Sequence, residues 1–486
     1  ARVTGVQTCA LPILLPFLRE LQIKFYAYLN YIVCFITGVI RDRMDKMTGK
    51  GRKQPEPGYV PVLSDFQDFF TRRFYNRIND CFARVVTTNA GAFMDIKMEK
   101  KSTDLEQNKT YTGEIKERVM NLGSYNYLGF GDPDEYCTPV VKEQMKKYGP
   151  STCSTLVDMG MTKVHRDLEK TVAKFLNTED AICYGMGWAT NATTIAALLK
   201  KGDLIISDSL NHNSIITGAR SSGATIQVFR HNEMDHLEKV IRRAIINGQP
   251  RTRRPWNKIL VIVEGIYSME GETVKLDELV RLKHKYHFAI WLDEAHSIGC
   301  MGDHGRGVSE HYHIDPKEID ILMGTFTKSF GAAGGYIAGT KKLINYLRMY
   351  SYGNVYADAM PAPVAQQAMS VLNLLMDNPE GARRIKTLHE NSIWFREELK
   401  KRNFNVIGEN GSPVVPVIMP PFSIFASVSR ECLEKGIGIV VVTFPACDIL
   451  QGRIRICLNA IHTREELQKA IDVLEETCKD FPVKLQ

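Results

Sequence analysis

The most distinctive chemical segment of the 486-residue chain is GTFTKSFG, residues 324–331, which follows directly on the apolar run DILM. Its lysine, Lys328, stands at the end of a predicted strand among small and hydroxylated residues. Such a lysine can form an imine with an aldehyde, because burial lowers its pKa towards that of a neutral, nucleophilic amine. A lone lysine in a loop is more often a surface charge, so the neighbouring motifs have to decide between the two interpretations.

A second polar strand end lies upstream in WLDEAH, residues 291–296. An aspartate buried at a strand end, here Asp293, is costly unless it pairs with a cation. The protonated ring nitrogen of a pyridine cofactor is such a cation, and the carboxylate would keep that ring an electron sink. The alternative is that Asp293 only caps the helix that follows.

Two further segments have the same form, a strand followed by polar residues. SDSLNH ends in His212, whose ring could stack on an aromatic cofactor or simply form a hydrogen bond at a helix start. YGMGWATN, residues 184–191, is typical of a strand, a glycine turn and a helix start, where backbone N–H groups bind phosphate. A Gly-x-Gly turn alone is weak support, but four such segments in this order together favour an aldehyde cofactor that carries a phosphate.

The elements that must position these residues are short apolar runs that alternate with amphipathic stretches. This alternation predicts an α/β fold with a mainly parallel sheet. Parallel sheets bind ligands at the carboxyl ends of their strands, and the polar residues above occur at such ends. We predict strands at 181–184, 204–207, 259–264, 289–293 and 321–324, and helices between them at segments such as 165–176 and 276–286.

Changes in composition divide the chain into five predicted segments. Residues 3–13 resemble the translation of a sequencing-adapter oligonucleotide, so we treat 1–13 as an artefact and exclude it from fold reasoning. Residues 14–60 form an apolar segment with its Pro/Gly-containing linker, and 61–115 an N-terminal helical or extended segment with aromatics at helical spacing over 65–83. A large catalytic domain follows at 116–380, and a smaller C-terminal α/β domain at 381–486.

The apolar stretch FYAYLNYIVCFITGVI, residues 25–40, carries no charge and is flanked by cations on both sides. It is shorter than the roughly 20 residues that span a bilayer squarely. Its tyrosines and cationic flanks are typical of a membrane interface. We therefore predict a membrane-associated segment that either spans the bilayer or lies in its interface, with a buried core helix or a signal-peptide remnant as the alternative.

Composition excludes several classes of protein. The 62 Lys and Arg against 55 Asp and Glu give a net charge of +7 without long basic blocks, which argues against a nucleic-acid partner. The 44% hydrophobic and 24% charged content argues against extensive disorder. The eleven cysteines are scattered with no Cys-x-x-Cys pair, so we expect no metal site and predict reduced thiols in a cytosol-facing protein.

On these motifs the chain resembles the α-oxoamine synthase family of fold-type-I pyridoxal 5'-phosphate (PLP) enzymes, which have an aspartate aminotransferase-like fold. The likeness runs from about residue 65 to the C-terminal end and includes GSYNYLGF, SDSLNHNS, VEGIYSMEG and LDEAHSIG. QPRTRRPW and TFTKSFGAAGGY are similar to the cofactor-bearing subunit of eukaryotic members that act on serine. The resemblance implies condensation of L-serine with palmitoyl-CoA to 3-ketosphinganine, CO2 and CoA, on the endoplasmic reticulum membrane with the catalytic domain facing the cytosol.

The resemblance also implies roles for individual residues. Lys328 would bond to the cofactor aldehyde, Asp293 would pair with the ring nitrogen, and His212 would stack on the ring; these are the predicted catalytic residues. His296 and Ser268 would contact the 3-oxygen of the ring, and Arg455 would bind the carboxylate of the amino acid. The residues expected around the phosphate are Met186, Gly187, Trp188, Thr325 and Thr327.

Some positions depart from the family pattern. Ser151 replaces an expected glycine and Leu156 an expected arginine, while Asp358 and Ala359 replace the Thr/Ser pair with which relatives reach the partner's cofactor phosphate. We therefore expect a heterodimer with a homologous subunit that lacks the lysine; the alternative is that Asp358 simply turns to solvent.

Two alternative functions stay open beside this expectation. The chain could itself be a non-catalytic scaffold, against which the presence of Lys328, Asp293 and His212 argues. It could also be a relative that uses glycine or alanine, against which the apolar segment and QPRTRRPW argue.

Overall fold

The computed structural model describes residues 11–49, 57–60, 64–100, 110–419, 424–443, 447 and 451–479. Most of the predicted artefact and parts of the predicted linker, 1–10, 50–56 and 61–63, lie outside these ranges. The described strands are β1 Phe93–Glu99, β2 Tyr111–Asn121, β3 Asp180–Tyr184, β4 Leu204–Asp208, β5 Thr225–Phe229, β6 Ile259–Glu264, β7 Ala289–Asp293, β8 Ile321–Thr325, β9 Gly335–Gly339, β10 Val414–Ile418, β11 Ile437–Gly438, β12 Val440–Val442 and β13 Arg453–Cys457.

Helices connect these strands and cover the sheets. Several begin at a side chain that satisfies the free N–H groups of the first turn, such as the capping boxes at Ser64, Thr162 and Thr463. The helices are α1 Leu11–Met47, α2 Asp65–Arg73, α3 Thr138–Tyr148, α4 Lys163–Leu176, α5 Gly187–Leu198, α6 Asn213–Ser222, α7 Met234–Asn247, α8 Leu276–Tyr286, α9 Val308–His311, α10 Lys341–Tyr350, α11 Tyr352–Val355, α12 Ala362–Asp377, α13 Pro379–Lys401, α14 Ile424–Glu434 and α15 Arg464–Thr477.

The central sheet has seven strands in the order β3-β9-β8-β7-β6-β4-β5. All neighbours are parallel except β9, which is antiparallel to both β3 and β8. Strands β4, β6, β7 and β8 are almost wholly buried, because helices pack on both faces, and this explains their continuous apolar sequences. The predicted α/β fold with a mainly parallel sheet is confirmed.

The carboxyl ends of the parallel strands gather polar residues at one edge of this sheet. Glu264 ends β6 and lies in register with Asp293, the last residue of β7. Asp208 ends β4, which is the neighbour of β6 on its other side, and Thr325 ends β8 beside β7. The topology therefore brings together four strand ends that are far apart in the sequence.

Two three-stranded sheets lie outside the central sheet. One has the order β10-β13-β12 and is built from the C-terminal part of the chain alone. The other has the order β1-β2-β11, because the parallel pairing of Ile437 with Met120 joins the N-terminal strands to the C-terminal part. The boundaries at residues 115 and 380 stay predictions.

The N-terminal helix α1 packs on α2 through both aromatic contacts and ion pairs. The ring centroids of Phe35 and Phe69 lie 5.2 Å apart, and buried Arg73 pairs with Asp42. The side of α1 turned away from α2 leaves apolar side chains exposed. None of the helices in the described ranges combines the length and hydropathy of a membrane span. The exposed apolar residues of α1 include Leu21, Phe25, Ile32, Ile36 and Ile40.

The predicted helical stretch at 65–83 is interrupted. Helix α2 ends at Arg73, and a separate 3-10 helix follows over Tyr75–Cys81. Between them, the Phe74 side chain is buried and stacks on the ring of Phe70 at 5.1 Å. The aromatic spacing thus indicated helical structure but not the change of helix type.

Candidate functional site

Lys328 lies in the turn that joins β8 to β9. At the start of this turn, the hydroxyl of Thr325 donates a hydrogen bond of 2.8 Å to the carbonyl oxygen of Gly334, which ties the two strands together. Burial lowers the pKa of Lys328 to about 8, although the nearby charges of Asp293 and Glu264 act in the opposite direction. The amine is therefore close to the neutral form that nucleophilic attack on an aldehyde requires.

Asp293 is a buried carboxylate with a defined hydrogen-bond partner for each oxygen. The side-chain amide of Asn191, on α5, donates to its Oδ2 at 2.7 Å, and the backbone N–H of Ala295 donates to its Oδ1 at 2.9 Å. Asn191 also donates to Ser214 at 3.0 Å, while its own Oδ1 has no partner among the described atoms. These two hydrogen bonds fix the orientation of the carboxylate, as pairing with a protonated ring nitrogen requires.

His212 lies directly before α6, where its Nδ1 is 2.8 Å from the hydroxyl of Ser214. Burial lowers the pKa of this imidazole; the charge of Asp293 raises it, and that of Lys328 lowers it further. A neutral flat ring at this position suits stacking on an aromatic cofactor. The backbone N–H of His212 donates to the carboxyl of Glu264, which fixes the start of the helix.

His296 is buried, and its Nδ1 lies 2.8 Å from the hydroxyl of Tyr127. Burial holds the pKa of His296 well below its ordinary value, and the positive charges of Lys328 and Arg455 add to the effect. The neutral ring lines the cavity, as does Ser268.

The N-terminus of α5 forms the opposite end of the site. Met186 precedes the helix, and Gly187 and Trp188 begin it, so their backbone N–H groups have no partner within the helix. A Cβ atom on Gly187 would lie 2.6 Å from the hydroxyl oxygen of Thr325. The position therefore requires glycine, which leaves an open cradle for an anionic group.

Arg455 reaches the site from β13 of a smaller sheet. Its guanidinium lies 4.5 Å from the ring centroid of Tyr125, and the Nζ of Lys328 lies 5.6 Å from the same ring. The Nε of Arg455 is buried and has no described hydrogen-bond partner. Tyr125 thus contacts both the lysine and an arginine whose Nε donor has no described partner.

These residues surround a cavity of about 410 Å³. Every predicted site residue except Arg455 lines it, and Arg455 borders it through Tyr125 and Met269, whose sulfur is 4.0 Å away. The residues of this cavity fit PLP. They offer the unpartnered oxygen of Asn191, the open cradle at Gly187, and acidic, basic and hydroxyl side chains. The lining residues include Met186, Gly187, Trp188, His212, Ser268, Asp293, His296, Thr325, Thr327 and Lys328.

Sequence reasoning missed several members of this cavity. Glu264 ends a predicted strand in the same way as Asp293, so the same argument could have found it. Burial and the neighbouring Asp293 raise the pKa of Glu264 well above its ordinary value, which favours its protonated form. No local signal identified Tyr125, Tyr127 or Asn191, because their contacts are made by segments distant in the chain.

The positions that depart from the family pattern lie together beside the site. Ala359 donates its backbone N–H to the carbonyl of Ser154 at 3.1 Å, and Asp358 pairs with Thr155. A Cβ atom on Gly185 would lie 3.4 Å from the carbonyl oxygen of Asp358. Leu156 is buried and Ser151 is exposed.

The sequence of this chain is similar to a known family and to individual members of it. The model of the aminotransferase class I and II family matches residues 117–474. Long chain base biosynthesis protein 2a of Oryza sativa subsp. japonica is 48% identical over 463 residues, which cover 95% of this chain and 94% of the relative. Serine palmitoyltransferase 3 of Homo sapiens is 43% identical over 464 residues, 94% of this chain and 84% of the relative.

A solved structure shares the same architecture. A variant serine palmitoyltransferase from S. paucimobilis with bound PLP-myriocin aldimine superposes with a TM-score of 0.75 at 26% sequence identity. The superposition covers 86% of this chain and 99% of that one.

Proposed function

This chain belongs to the aminotransferase class I and II family and, within it, to the serine palmitoyltransferases, and we propose that it catalyses the first step of sphingolipid synthesis. In this reaction L-serine condenses with a long-chain acyl-CoA, palmitoyl-CoA in particular, to 3-ketosphinganine, CO2 and CoA. The observation that carries the proposal is the convergence of Lys328, Asp293 and His212 on one cavity. A non-catalytic scaffold subunit would not need these three side chains in one cavity.

When bound, PLP supplies an aldehyde that bonds to amines and a ring that accepts the electron pair released at Cα of serine. The carboxylate of Asp293, held by Asn191 and Ala295, would pair with the ring nitrogen and keep a proton on it. The neutral imidazole of His212 would lie against the ring, and the start of α5 would bind the phosphate through Gly187 and its neighbours.

Lys328 is the residue that would move protons at Cα. Its amine, with a pKa of about 8, can accept a proton near neutral pH and return it later. Arg455 would bind the serine carboxylate, because a guanidinium offers two parallel donors to such a group. Both cations lie near the ring of Tyr125, so Arg455 and Lys328 would approach the same amino acid from one side of the site.

The partner and the location are further parts of the proposal. We propose a heterodimer with a homologous subunit that lacks the lysine, because Asp358 and Ala359 cannot supply the Thr/Ser contacts to a neighbouring phosphate. We also propose that the protein resides at the endoplasmic reticulum membrane with its catalytic part in the cytosol. The exposed apolar side of α1 and its cationic flanks support membrane association.

The experiment that tests this function is co-expression with the homologous subunit and analysis of products from isotope-labelled amino acids. Labelled serine and palmitoyl-CoA should give labelled 3-ketosphinganine, whereas glycine and alanine should react more slowly. The Lys328→Ala variant, in the same pair, separates a catalytic chain from a scaffold. Equal product formation by wild type and this variant would assign catalysis to the partner.

A further inference from the structure

The edge of the central sheet opposite the site carries a concentrated positive charge. The stretch 240–258, which forms the end of α7, a turn and the approach to β6, contains six Lys and Arg and no Asp or Glu. Strand β4 begins beside β6, so the turn at 200–202 adds two more lysines. The resulting basic surface comprises Lys200, Lys201, Arg242, Arg243, Arg251, Arg253, Arg254 and Lys258, all of which are exposed.

Backbone contacts hold the two parts of the basic surface together. Asn257 donates its N–H to the carbonyl of Gly202 at 3.1 Å, and the ammonium of Lys258 donates to the carbonyl of Leu198 at 2.7 Å. The cations of both segments therefore lie on one face of the molecule.

The positive charge of the basic surface is not neutralised locally. None of its eight cations forms an ion pair with a carboxylate in the described part of the chain, whereas Lys163 and Lys285 pair with Asp167 and Glu238. The acid nearest in sequence, Asp203, is buried and accepts the backbone N–H of Lys200 at 2.9 Å. An unneutralised cluster of this kind attracts an anionic partner.

The turn that carries three of the arginines is internally fixed. The indole N–H of Trp256 donates to the carbonyl of Ala244 at 2.8 Å, and Gln249 donates its side-chain amide to Pro255 at 2.7 Å. Arg251 and Arg253 adopt positive φ values of 67° and 57°, which residues with a Cβ rarely do. The guanidinium groups therefore project from a turn of defined shape rather than from a flexible tail.

Two isoleucines stand beside the arginines on the last turn of α7. Ile245 is 45% exposed and Ile246 is 79% exposed, next to Arg242 and Arg243. Cations that contact phosphate headgroups together with apolar side chains that enter the acyl boundary are the combination by which proteins bind anionic bilayers. An acidic protein would match the charge but gives no reason for isoleucines this exposed.

We propose that the basic surface binds the headgroups of an anionic lipid bilayer. The contact would add to the membrane association of α1 at a separate place on the molecule. Because the surface lies at the amino edge of the sheet, away from the cavity, it is independent of the proposed reaction. Its loss should leave the condensing activity in detergent unchanged.

The test measures partition of the full-length, PLP-loaded protein onto two kinds of vesicle by co-sedimentation. One kind is pure phosphatidylcholine, and the other contains one phosphatidylserine in four lipids. The ratio of the two partition coefficients reports all charge-dependent contacts, including those of the cationic flanks of α1. The contribution of the basic surface is therefore the change in this ratio between wild type and a variant of that surface. A cation near an anionic surface strengthens binding about fivefold, so the variant Arg251→Gln/Arg253→Gln/Arg254→Gln should lower the ratio about a hundredfold.

The control variant is Lys142→Gln/Lys170→Gln/Lys174→Gln, which removes three exposed cations from α3 and α4. The proposal predicts that this variant keeps the ratio of the wild type. An equal decrease in both variants would show a general effect of net charge and overturn the proposal, and so would an unchanged ratio in the arginine variant. If wild type shows no preference for anionic vesicles but the arginine variant loses affinity for the homologous subunit, the surface binds protein and not lipid.

Discussion

The amide of Asn191 donates to the buried carboxylate of Asp293 across 2.7 Å, although 102 residues separate the two along the chain. The contact joins the start of α5, where the phosphate is expected, to the end of β7, where the ring nitrogen is expected. This hydrogen bond therefore connects the two parts of the chain at which opposite ends of the cofactor are expected to bind.

Replacing Asp293 with asparagine should lower PLP affinity and turnover together. The variant keeps the volume of the side chain but loses a charge-assisted hydrogen bond, worth roughly 1.5–3 kcal/mol. The loss in turnover should exceed the tenfold or greater loss in affinity, because the ring is no longer kept protonated. Equilibrium dialysis of PLP and steady-state kinetics measure the two effects. Turnover equal to that of the wild type would remove Asp293 from the mechanism.

Lys328 should be the residue that bonds covalently to PLP. Borohydride reduction of the loaded protein, followed by peptide mapping, should place the cofactor on residues around 328, and Lys328→Ala should abolish the label. The rate of capture of added PLP by the cofactor-free protein should rise as the pH increases towards about 8 and level off above it, because the neutral amine reacts. Stopped-flow absorbance measures this profile. A rate that goes on rising well above pH 8 would contradict the lowered pKa.

Tyr127→Phe should reduce activity through His296, whose Nδ1 lies 2.8 Å from the tyrosine hydroxyl. Loss of one buried hydrogen bond should cost about 0.5–1.5 kcal/mol of unfolding free energy. The matched control is Tyr336→Phe, because Tyr336 is equally buried and its hydroxyl has no described partner. Denaturant unfolding and steady-state kinetics of both variants distinguish loss of the hydrogen bond to His296 from loss of a tyrosine hydroxyl alone. Equal effects in the two would remove the special role of Tyr127.

Arg455→Lys should raise the KM for serine by about tenfold to a hundredfold, as expected for loss of a charge-assisted, bidentate contact. The KM for acyl-CoA should change little, because the arginine is proposed to contact only the amino acid. Initial rates with each substrate varied in turn measure the two constants. A rise in the KM for acyl-CoA alone would assign Arg455 to the other substrate.

The strands with continuous apolar runs were predictable from sequence. Strands 259–264 and 289–293 coincide with β6 and β7 residue for residue, because each run ends abruptly in a polar residue. Strand β9, Gly335–Gly339, was missed because its glycines give a weak strand propensity and it pairs antiparallel on both sides. The edge strand β5 was missed too, since only one of its five residues is fully buried.

A site residue could be predicted from the sequence only where its local motif combines a strand end with a side chain that suits the cofactor. Lys328, Asp293 and His212 follow strands and carry groups that suit one cofactor. The contact of Tyr127 with His296 joins residues 169 positions apart, so it arises from tertiary packing and leaves no local pattern. Helix α1 extends beyond the predicted apolar stretch, because its last turns are held by ion pairs of Asp42 and Asp45 with Arg73 rather than by apolar burial.

The last prediction concerns the loop at 358–360, which lies against Gly185 at the phosphate end of the chain's own site. The family resemblance implies that a Thr/Ser pair in this loop would contact the phosphate of a neighbouring subunit. An exposed aspartate directed at that phosphate would place like charges together in a poorly solvated interface, at a cost of several kcal/mol by order of magnitude. A homodimer with two loaded sites is therefore disfavoured.

The chain alone should consequently bind PLP weakly and turn over slowly, whereas co-expression with the homologous subunit that lacks the lysine should restore both. The variant Asp358→Thr/Ala359→Ser should increase PLP retention in the isolated chain, because it removes the repulsion and supplies two hydroxyl donors. Size-exclusion chromatography with light scattering gives the assembly state, and absorbance gives the cofactor content per chain. If the repulsion acts across a homodimer interface, the substitutions should change PLP retention in the isolated chain and not in the heterodimer; an equal change in both would place the effect within the chain's own site. A fully loaded, fully active homodimer of the unaltered chain would contradict the heterodimer.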